Sequence, residues 1–370
     1  MNQQLAIPCM MMRGGTSKGA YFLARDLPRD PKGRDAILLS IMGSPDPAQI
    51  DGIGGAHPLR SKVAIVEKSA EPDIDIDFLF AQVSVTEALV DTSPNCGNIL
   101  AGVGPFAIER GLVPAQEGTT IVRVRTLNTG TIAELAVPTP RGVVEYQGSA
   151  KIDGVPGTAA PIHIFFRDIA GSVCKSLLPT GKLVDWIDGV PVSCIDNGMP
   201  VLVIPATTLG RTGYETVAEL DRDIELKARI ERIRILAGEL MGLGNVAEAV
   251  VPKISLIAPP RHGGCVSTRT FIPKTCHQSI GVFGAVSVAT VCVLPGSAAE
   301  GVAVVTRSEN QSLSIEHPAG EFTVNLELDF ADSVLVVKRA GLVRTARALF
   351  DGVVYAKRAN FLEEAGAKTQ

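Results

Sequence analysis

Two short segments of this 370-residue chain are apolar on every side, and they restrict the fold more than any other feature. Ile99–Arg110 carries Ile99, Leu100, Val103, Phe106, Ala107 and Ile108 and is stopped by Gly111. Gly284–Leu294 is small and apolar throughout. A helix with no polar face has to be covered all round, so both are expected as central helices enclosed by sheet. Each sits midway through its half of the chain, after strands and before more strands. Asn95-Cys96-Gly97-Asn98 opens the first, and Ser279-Ile280-Gly281-Val282-Phe283-Gly284 opens the second. Arg13-Gly14-Gly15-Thr16 comes after the first strand, and Asp196-Asn197-Gly198 begins the strand run of the second half. The spacing therefore predicts two similar halves, with helix N-termini facing a common cleft and a boundary near Asp185–Gly189.

The rest of the chain reads as strand-rich. The Met-rich start Pro8–Met12 reads as a buried strand, and alternating or continuous β-branched runs occur at Ser61–Val66, Ile74–Val85, Thr120–Thr126, Ile132–Val137, Val201–Ile204, Lys253–Ala258, Val266–Phe271, Gly301–Val305 and Phe322–Leu328. Asp153-Gly154, Asp188-Gly189, Asn197-Gly198 and Gly263-Gly264 are turn signals. Ile224–Leu240 is an amphipathic surface helix, and Arg344-Thr345-Ala346-Arg347 reads as a helix start with a structural role.

Composition then removes whole classes of function. Charged residues mix along the chain to a net −4, and aromatics are only 5%, so neither a basic tract nor a stacking platform for nucleic acid is expected. No apolar run is long enough to span a membrane, and a small-molecule partner is expected instead. Seven Cys at 9, 96, 174, 194, 265, 276 and 292 are irregularly spaced without a CxxC pair, as reduced cytoplasmic thiols would be. The five His form no HxH or HExxH arrangement, so no metal is expected. A GxSxG elbow is absent, as is GxGxxG in a strand–helix context.

Three places could carry chemistry. Cys96 lies just ahead of an apolar helix, where unpaired N–H groups and the helix dipole favour anions. Gly97 allows close approach to the backbone, and Asn95 and Asn98 can cap or grip a carboxylate. The alternative is a simply buried thiol. Arg13-Gly14-Gly15-Thr16-Ser17-Lys18-Gly19 lacks phosphate-loop spacing but suits a carboxylate; it can equally be a plain tight turn. Lys62 enters an apolar strand behind Asp51-Gly52-Ile53-Gly54-Gly55-Ala56, so burial could make it a base, or it can be a snorkelling surface lysine. In the second half, Arg269, His277 and Ser279 flank the second helix and could hold carboxylates.

Together the segments resemble the PrpF family. The matching series is Arg13–Gly19, Gly43-Ser44-Pro45-Asp46, Gln49–Gly55, Ser61-Lys62-Val63, Asn95–Asn98 and Asp196-Asn197-Gly198-Met199-Pro200. It continues through Thr268–Phe271, Gly281–Ala285, Glu316–Glu321 and Arg344–Arg347, and covers about Ile7 to Tyr355. The resemblance implies an α/β (α+β) diaminopimelate-epimerase-like fold, two pseudo-equivalent domains each with a central helix wrapped by a mostly antiparallel sheet. The domains would be 1–187, completed by 345–357, and 188–344. Epimerases of that fold use one Cys per domain. Cys96 matches the first, while Ile280 falls at the second and Cys276 is out of register, so a Lys matching Lys62 is implied as the second group.

The resemblance further implies an isomerase of an unsaturated tricarboxylic acid, working without cofactor through a dienolate, with Lys62 and Cys96 catalytic. Arg13, Gly14, Gly15, Thr16, Ser17, Asn95, Gly97, Asn98, Arg269, His277 and Ser279 would bind substrate. The wording is nearest to 4-oxalomesaconate tautomerases and Δ-isomerases of gallate, protocatechuate and lignin-fragment catabolism. 2-Methylaconitate isomerisation and a non-catalytic carboxylate binder are the alternatives. Neither nucleic acid nor membrane is an implied partner, and a homodimer is possible.

Overall fold

The computed structural model describes residues 4–306, 308–329 and 336–357. The chain divides into two units, 1–164 with 344–370 and 165–343. Each is a mixed α/β body built on one pattern.

The first unit contains β1 (Gln4–Gly14), β2 (Ser17–Leu23), α1 (Pro31–Met42), β3 (Lys62–Lys68), β4 (Ile76–Val83), β5 (Val90–Asp91), α2 (Gly97–Glu109), β6 (Gly118–Thr126) and β7 (Ile132–Thr139). β8 (Ile162–Phe166) runs across the division. Along the sheet, the C-terminal β17 (Ala346–Lys357) pairs antiparallel with β1, β1 antiparallel with β2, and β2 parallel with β3. β3 then pairs antiparallel with β4, β4 parallel with β6, and β6 antiparallel with β7. Asp30 caps α1 by accepting the Gly33 N–H at 2.7 Å, Pro31 needs no N–H there, and Gly43 at φ 75° ends the helix. Ile37, Leu38, Ile41 and Met42 of α1 pack on Ile7, Cys9, Ala20, Phe22, Val63 and Ala81. The opposite face holds α2, where Ile99, Leu100, Val103 and Phe106 are buried, each contributing about 1.5–3 kcal/mol.

The second unit repeats this order. It contains β9 (Asp185–Ile187), β10 (Val190–Asp196), β11 (Pro200–Pro205), α3 (Val217–Arg222), α4 (Ile224–Leu240), β12 (Lys253–Ala258) and β13 (Val266–Phe271). α5 (Val282–Val293), β14 (Asn310–His317), β15 (Gly320–Asp329) and β16 (Val336–Arg344) complete it. β10/β11 is antiparallel, β11/β12 parallel, β12/β13 antiparallel, β13/β14 parallel and β14/β15 antiparallel. That is the same alternation as β1/β2, β2/β3, β3/β4, β4/β6 and β6/β7. α4 takes the place of α1 between the second and third strands, and α5 takes the place of α2 between the fourth and fifth. The internal repeat expected from two apolar helices is therefore a repeat of whole ladders.

Three expectations are corrected. Gly301–Val305 forms turns, not a strand: Val302 and Ala303 N–H groups both bond back to Ala299 O. Arg344–Arg347 opens no helix but joins β16 to β17, because Arg347 and Ala346 pair with Arg13 and Gly14 of β1. The division falls between Ile164 and Phe165, not after 187, because β9 pairs with β10 across the Asp188-Gly189 turn and so belongs to the second unit. Among the described residues no helix is long and apolar enough to cross a membrane.

Candidate active site at the start of the central helix

Cys96 is the N-cap of α2. Its carbonyl accepts the first intrahelical bond from Leu100 N–H at 2.9 Å, while its side chain makes no capping hydrogen bond. The first-turn amides of a helix capped this way face an anion with the positive end of the helix dipole behind them. The Gly14-Gly15 turn between β1 and β2 lies directly against this start. A Cβ on Gly14 would come within 2.2 Å of Asn98 O, and one on Gly15, at φ 52°, within 2.1 Å of Asn98 Oδ1. Only glycine permits that approach. The contact is locked by a reciprocal pair: Thr16 N–H donates to Asn98 Oδ1 at 3.4 Å, and Asn98 Nδ2 donates to Thr16 Oγ1 at 3.0 Å. Asn98 thus builds the cradle, and its amide is already engaged. Ser17 is buried beside the turn, and its Oγ has no hydrogen-bond partner among the described residues.

Lys62 begins β3 on the α2 side of the sheet. It pairs in register with Gly19, whose Cβ, if present, would meet Ile99 in the first turn of α2. The side chain is 8% exposed, which decides against a surface lysine. Its Nζ donates to Gln82 Oε1 at 2.7 Å and lies 4.9 Å from the centroid of Phe80. Gln82 cannot rotate freely, because its Nε2 donates to Pro58 O and Ser61 O at 3.0 Å. The strand start is anchored in turn by Ser61 Oγ on Gln49 Oε1 at 2.7 Å, which also accepts Ala56 N–H. The Gln49–Gly55 motif therefore serves to hold Lys62.

One loop ties the surroundings of the lysine to those of the thiol. The Asn128 side chain pairs with both backbone groups of Phe80, at 2.9 Å each, and donates to Thr92 O. Its neighbour Thr129 accepts from Asn95 Nδ2 at 2.5 Å. Phe80 under the amine and Asn95 next to Cys96 are thus both fixed by the β6–β7 loop.

Sequence reasoning missed four residues here: Gln82, Phe80, Asn128 and Arg344. Arg344 is half-buried, its pKa lowered to about 10 by desolvation, and the nearby Cys96 favours its charge. Tyr21 is fully buried with its hydroxyl donating to Ile99 O at 2.6 Å; burial, then proximity to Cys96, push its pKa up. Only the pairing of β17 with β1 brings Arg344 to Cys96, and no local pattern announces that.

Arg13 is not brought to this cluster. Its Nη1 donates to Gly15 O, Thr345 O and Thr345 Oγ1, at 2.9–3.0 Å. Arg269, His277 and Ser279 belong to the second unit. Arg269 is tied to backbone carbonyls, Glu215 O at 2.6 Å and Thr268 O at 2.8 Å, and burial lowers its pKa. His277 Nδ1 accepts Ser279 N–H at 2.8 Å, and burial, then nearby Lys253, lower its pKa. Ser279 Oγ contacts His317 Nε2 at 3.1 Å. Among the described residues no three His, Cys, Asp or Glu side chains are grouped to hold a metal ion. Two family motifs prove structural. Glu316 accepts the N–H groups of Arg261, His262 and Gly264, and Asp196 Oδ2 accepts those of Val173 and Cys174.

The first unit therefore holds a buried, clamped lysine and, at the start of its central helix, a thiol. Comparison with known proteins gives the class. The chain is 59% identical to a (4E)-oxalomesaconate Delta-isomerase of Novosphingobium sp. (strain KA1), over 94% of this chain and 97% of that protein. It is 57% identical to a 4-oxalomesaconate tautomerase of Pseudomonas putida, over 95% and 96%. The crystal structure of a methylitaconate-delta-isomerase superposes with a TM-score of 0.84 at 35% identity, covering 96% of this chain and 97% of that one. The family model described as "PrpF protein" matches residues 4–357, so the chain belongs to the PrpF family, and it is an isomerase.

Proposed function

We propose that this isomerase acts on an unsaturated tricarboxylic acid of the 4-oxalomesaconate type, in bacterial breakdown of aromatic compounds, without a cofactor. The observation that carries the reading is the Lys62 amine, buried on the α2 side of the sheet and held by Gln82 and Phe80. With one N–H committed to Gln82, the Lys62 amine acts, once deprotonated, as the base that takes a proton from an allylic or enolic position. The electron pair of the broken C–H or O–H bond moves into the conjugated system as a dienolate. The α2 amides, with the Arg344 charge near Cys96, meet the developing negative oxygen. The proton then returns at the other end of the conjugated system, from the Lys62 ammonium or the Cys96 thiol. The names of relatives sharing more than half of their residues with this chain support the substrate class.

The test is turnover of 4-oxalomesaconate and 2-methylaconitate in deuterated water, followed by NMR. Faster turnover of 4-oxalomesaconate, with deuterium entering one carbon position, is expected. No exchange with either acid sinks the reading in favour of a binding protein. Cys96→Ser is expected to lower kcat by about 10²-fold, within the range of a lost acid–base partner; near-normal turnover makes the thiol a bystander.

A further inference from the structure

The sheet of the first unit has a second charged surface, on the side away from α2. A Cβ at Gly14 would point at Asn98 O, so position 14 faces α2; by strand alternation Arg13 faces the other way. Arg13 stands directly opposite Arg347 on β17 and directly opposite Lys18 on β2. Three cations therefore form one cross-strand row. Like charges in that position repel, and a sheet normally avoids them. Arg13 at the centre of the row has no carboxylate partner among the described residues, its hydrogen bonds going to Gly15 and Thr345. Arg13 is half-buried, and desolvation, followed by the charge of Arg347, disfavours its protonated form.

The two arginines line a cleft of about 660 Å³ whose other polar walls are Tyr146, Gln147, Thr158 and Thr345. The three hydrogen bonds of Arg13 all leave from Nη1, so its Nε/Nη2 edge makes none to the described residues. That edge is the planar fork that fits two oxygens of a carboxylate or phosphate. Glu109, the last residue of α2, touches the wall through the Tyr146 hydroxyl, which donates to it at 3.5 Å.

We propose that this cleft is a second anion site, taking a small multiply charged oxyanion on Arg13 and Arg347. It goes beyond the isomerisation site, since neither Lys62 nor Cys96 lines the cleft. A bound anion would neutralise the row and staple β17 to β1 three residues past Arg344.

The probes are citrate, inorganic phosphate and chloride at equal ionic strength, read by calorimetric titration and by Tm. Citrate or phosphate should bind and raise Tm where chloride does not. A response to citrate alone marks a carboxylate ligand, and a stronger response to phosphate marks a phosphoryl group. Arg347→Glu should weaken binding at least about ten-fold, a change readily resolved in Kd. The same variant should keep or raise the ligand-free Tm, because the new carboxylate would face Arg13 with opposite charge, so a lost response is not lost folding. Lys62→Ala should keep the response. Equal effects of all three salts, an unchanged response in Arg347→Glu, or a response lost in Lys62→Ala would each overturn the proposal.

Discussion

The two units share a ladder and differ where the ladder meets its helix. In both, a turn with a left-handed glycine presses on the second residue past the N-cap: Gly15 on Asn98, and Gly198, at φ 88°, on Phe283. That contact aligns the helices residue by residue. Cys96 corresponds to Gly281, the N-cap of α5, so the position lies one residue beyond Ile280, and no thiol stands there either way. Asn98 locks its turn through Thr16, whereas Phe283 does so with an apolar ring set edge-on to Phe166 at 4.8 Å. Lys62 and Lys253 begin equivalent strands. Lys62 is buried and clamped; Lys253 is half-buried, has no hydrogen-bond acceptor among the described residues, and is held below its usual pKa by desolvation. Duplication preserved what the backbone requires, a small residue in a left-handed turn beside a helix start. It left the side chains at that point free to diverge.

The sharpest test of this divergence compares the two lysines. Lys62→Ala should lower kcat by about 10²–10⁴-fold, the range for a lost general base, or ~3–5 kcal/mol in the barrier. Lys253→Ala should cost less than about ten-fold, since no comparable clamp orients that amine. Initial rates measured at saturating substrate decide it. Equal losses in the two variants would mean that the units share the chemistry as well as the ladder.

Legibility in the sequence divides along the same line between backbone requirement and side-chain use. The two central helices are legible because an all-apolar segment of helical length has one solution, and Ile224–Leu240 because Leu226, Ile230, Ile233 and Ala237 recur at helical spacing on one buried face, where Arg234 is buried with them. The Gly14-Gly15 and Asn95–Asn98 segments are legible as a pair of anion-friendly turns, and the structure puts them in contact. Lys62 is not legible from its own surroundings, since a lysine at a strand start is ordinarily exposed. Its burial depends on Gln82 and Phe80, one strand away, and on Gln49, which reaches it through a loop. Arg344 misleads because a short Arg/Thr/Ala run looks helical locally; the partner of the adjoining β17 is β1, more than three hundred residues earlier. Arg13 reads by its neighbours in sequence as part of the turn, but alternation along β1 sends its side chain to the other face.

The turn contacts offer a second, smaller test. Phe283→Ala removes a ring that packs on both Gly198 and Phe166 and should destabilise by about 2–3 kcal/mol, below a fully buried Phe because this ring is only partly covered. Asn98→Ala removes exposed hydrogen bonds and should cost about 1 kcal/mol. Urea midpoints at constant slope would give both. Asn98→Ala should in addition lower kcat/KM, because the loosened turn borders the α2 amides, and Phe283→Ala should change kcat/KM less than it changes stability. The reverse pattern would place the working end of the fold in the second unit.

The smallest expected effect concerns acid. His277, just ahead of α5, has a pKa below the ordinary 6.5, first through burial and then through Lys253, and its Nδ1 accepts the Ser279 N–H as a neutral ring. With the folded pKa depressed, the unfolded chain binds the proton first as pH falls. This contribution to stability is therefore complete above about pH 6.5 and is lost as pH drops toward the folded value. The start of α2 has no counterpart, since Cys96, Gly97 and Asn98 do not include a histidine. Hydrogen exchange, corrected for its intrinsic pH dependence, should show protection in the first turn of α5 weakening on acidification while that of α2 holds. His277→Asn keeps an acceptor for Ser279 but cannot take up the proton, so it should flatten the response of α5. A parallel loss at both helix starts, or an unchanged response in the variant, would trace acid sensitivity to groups common to the two units.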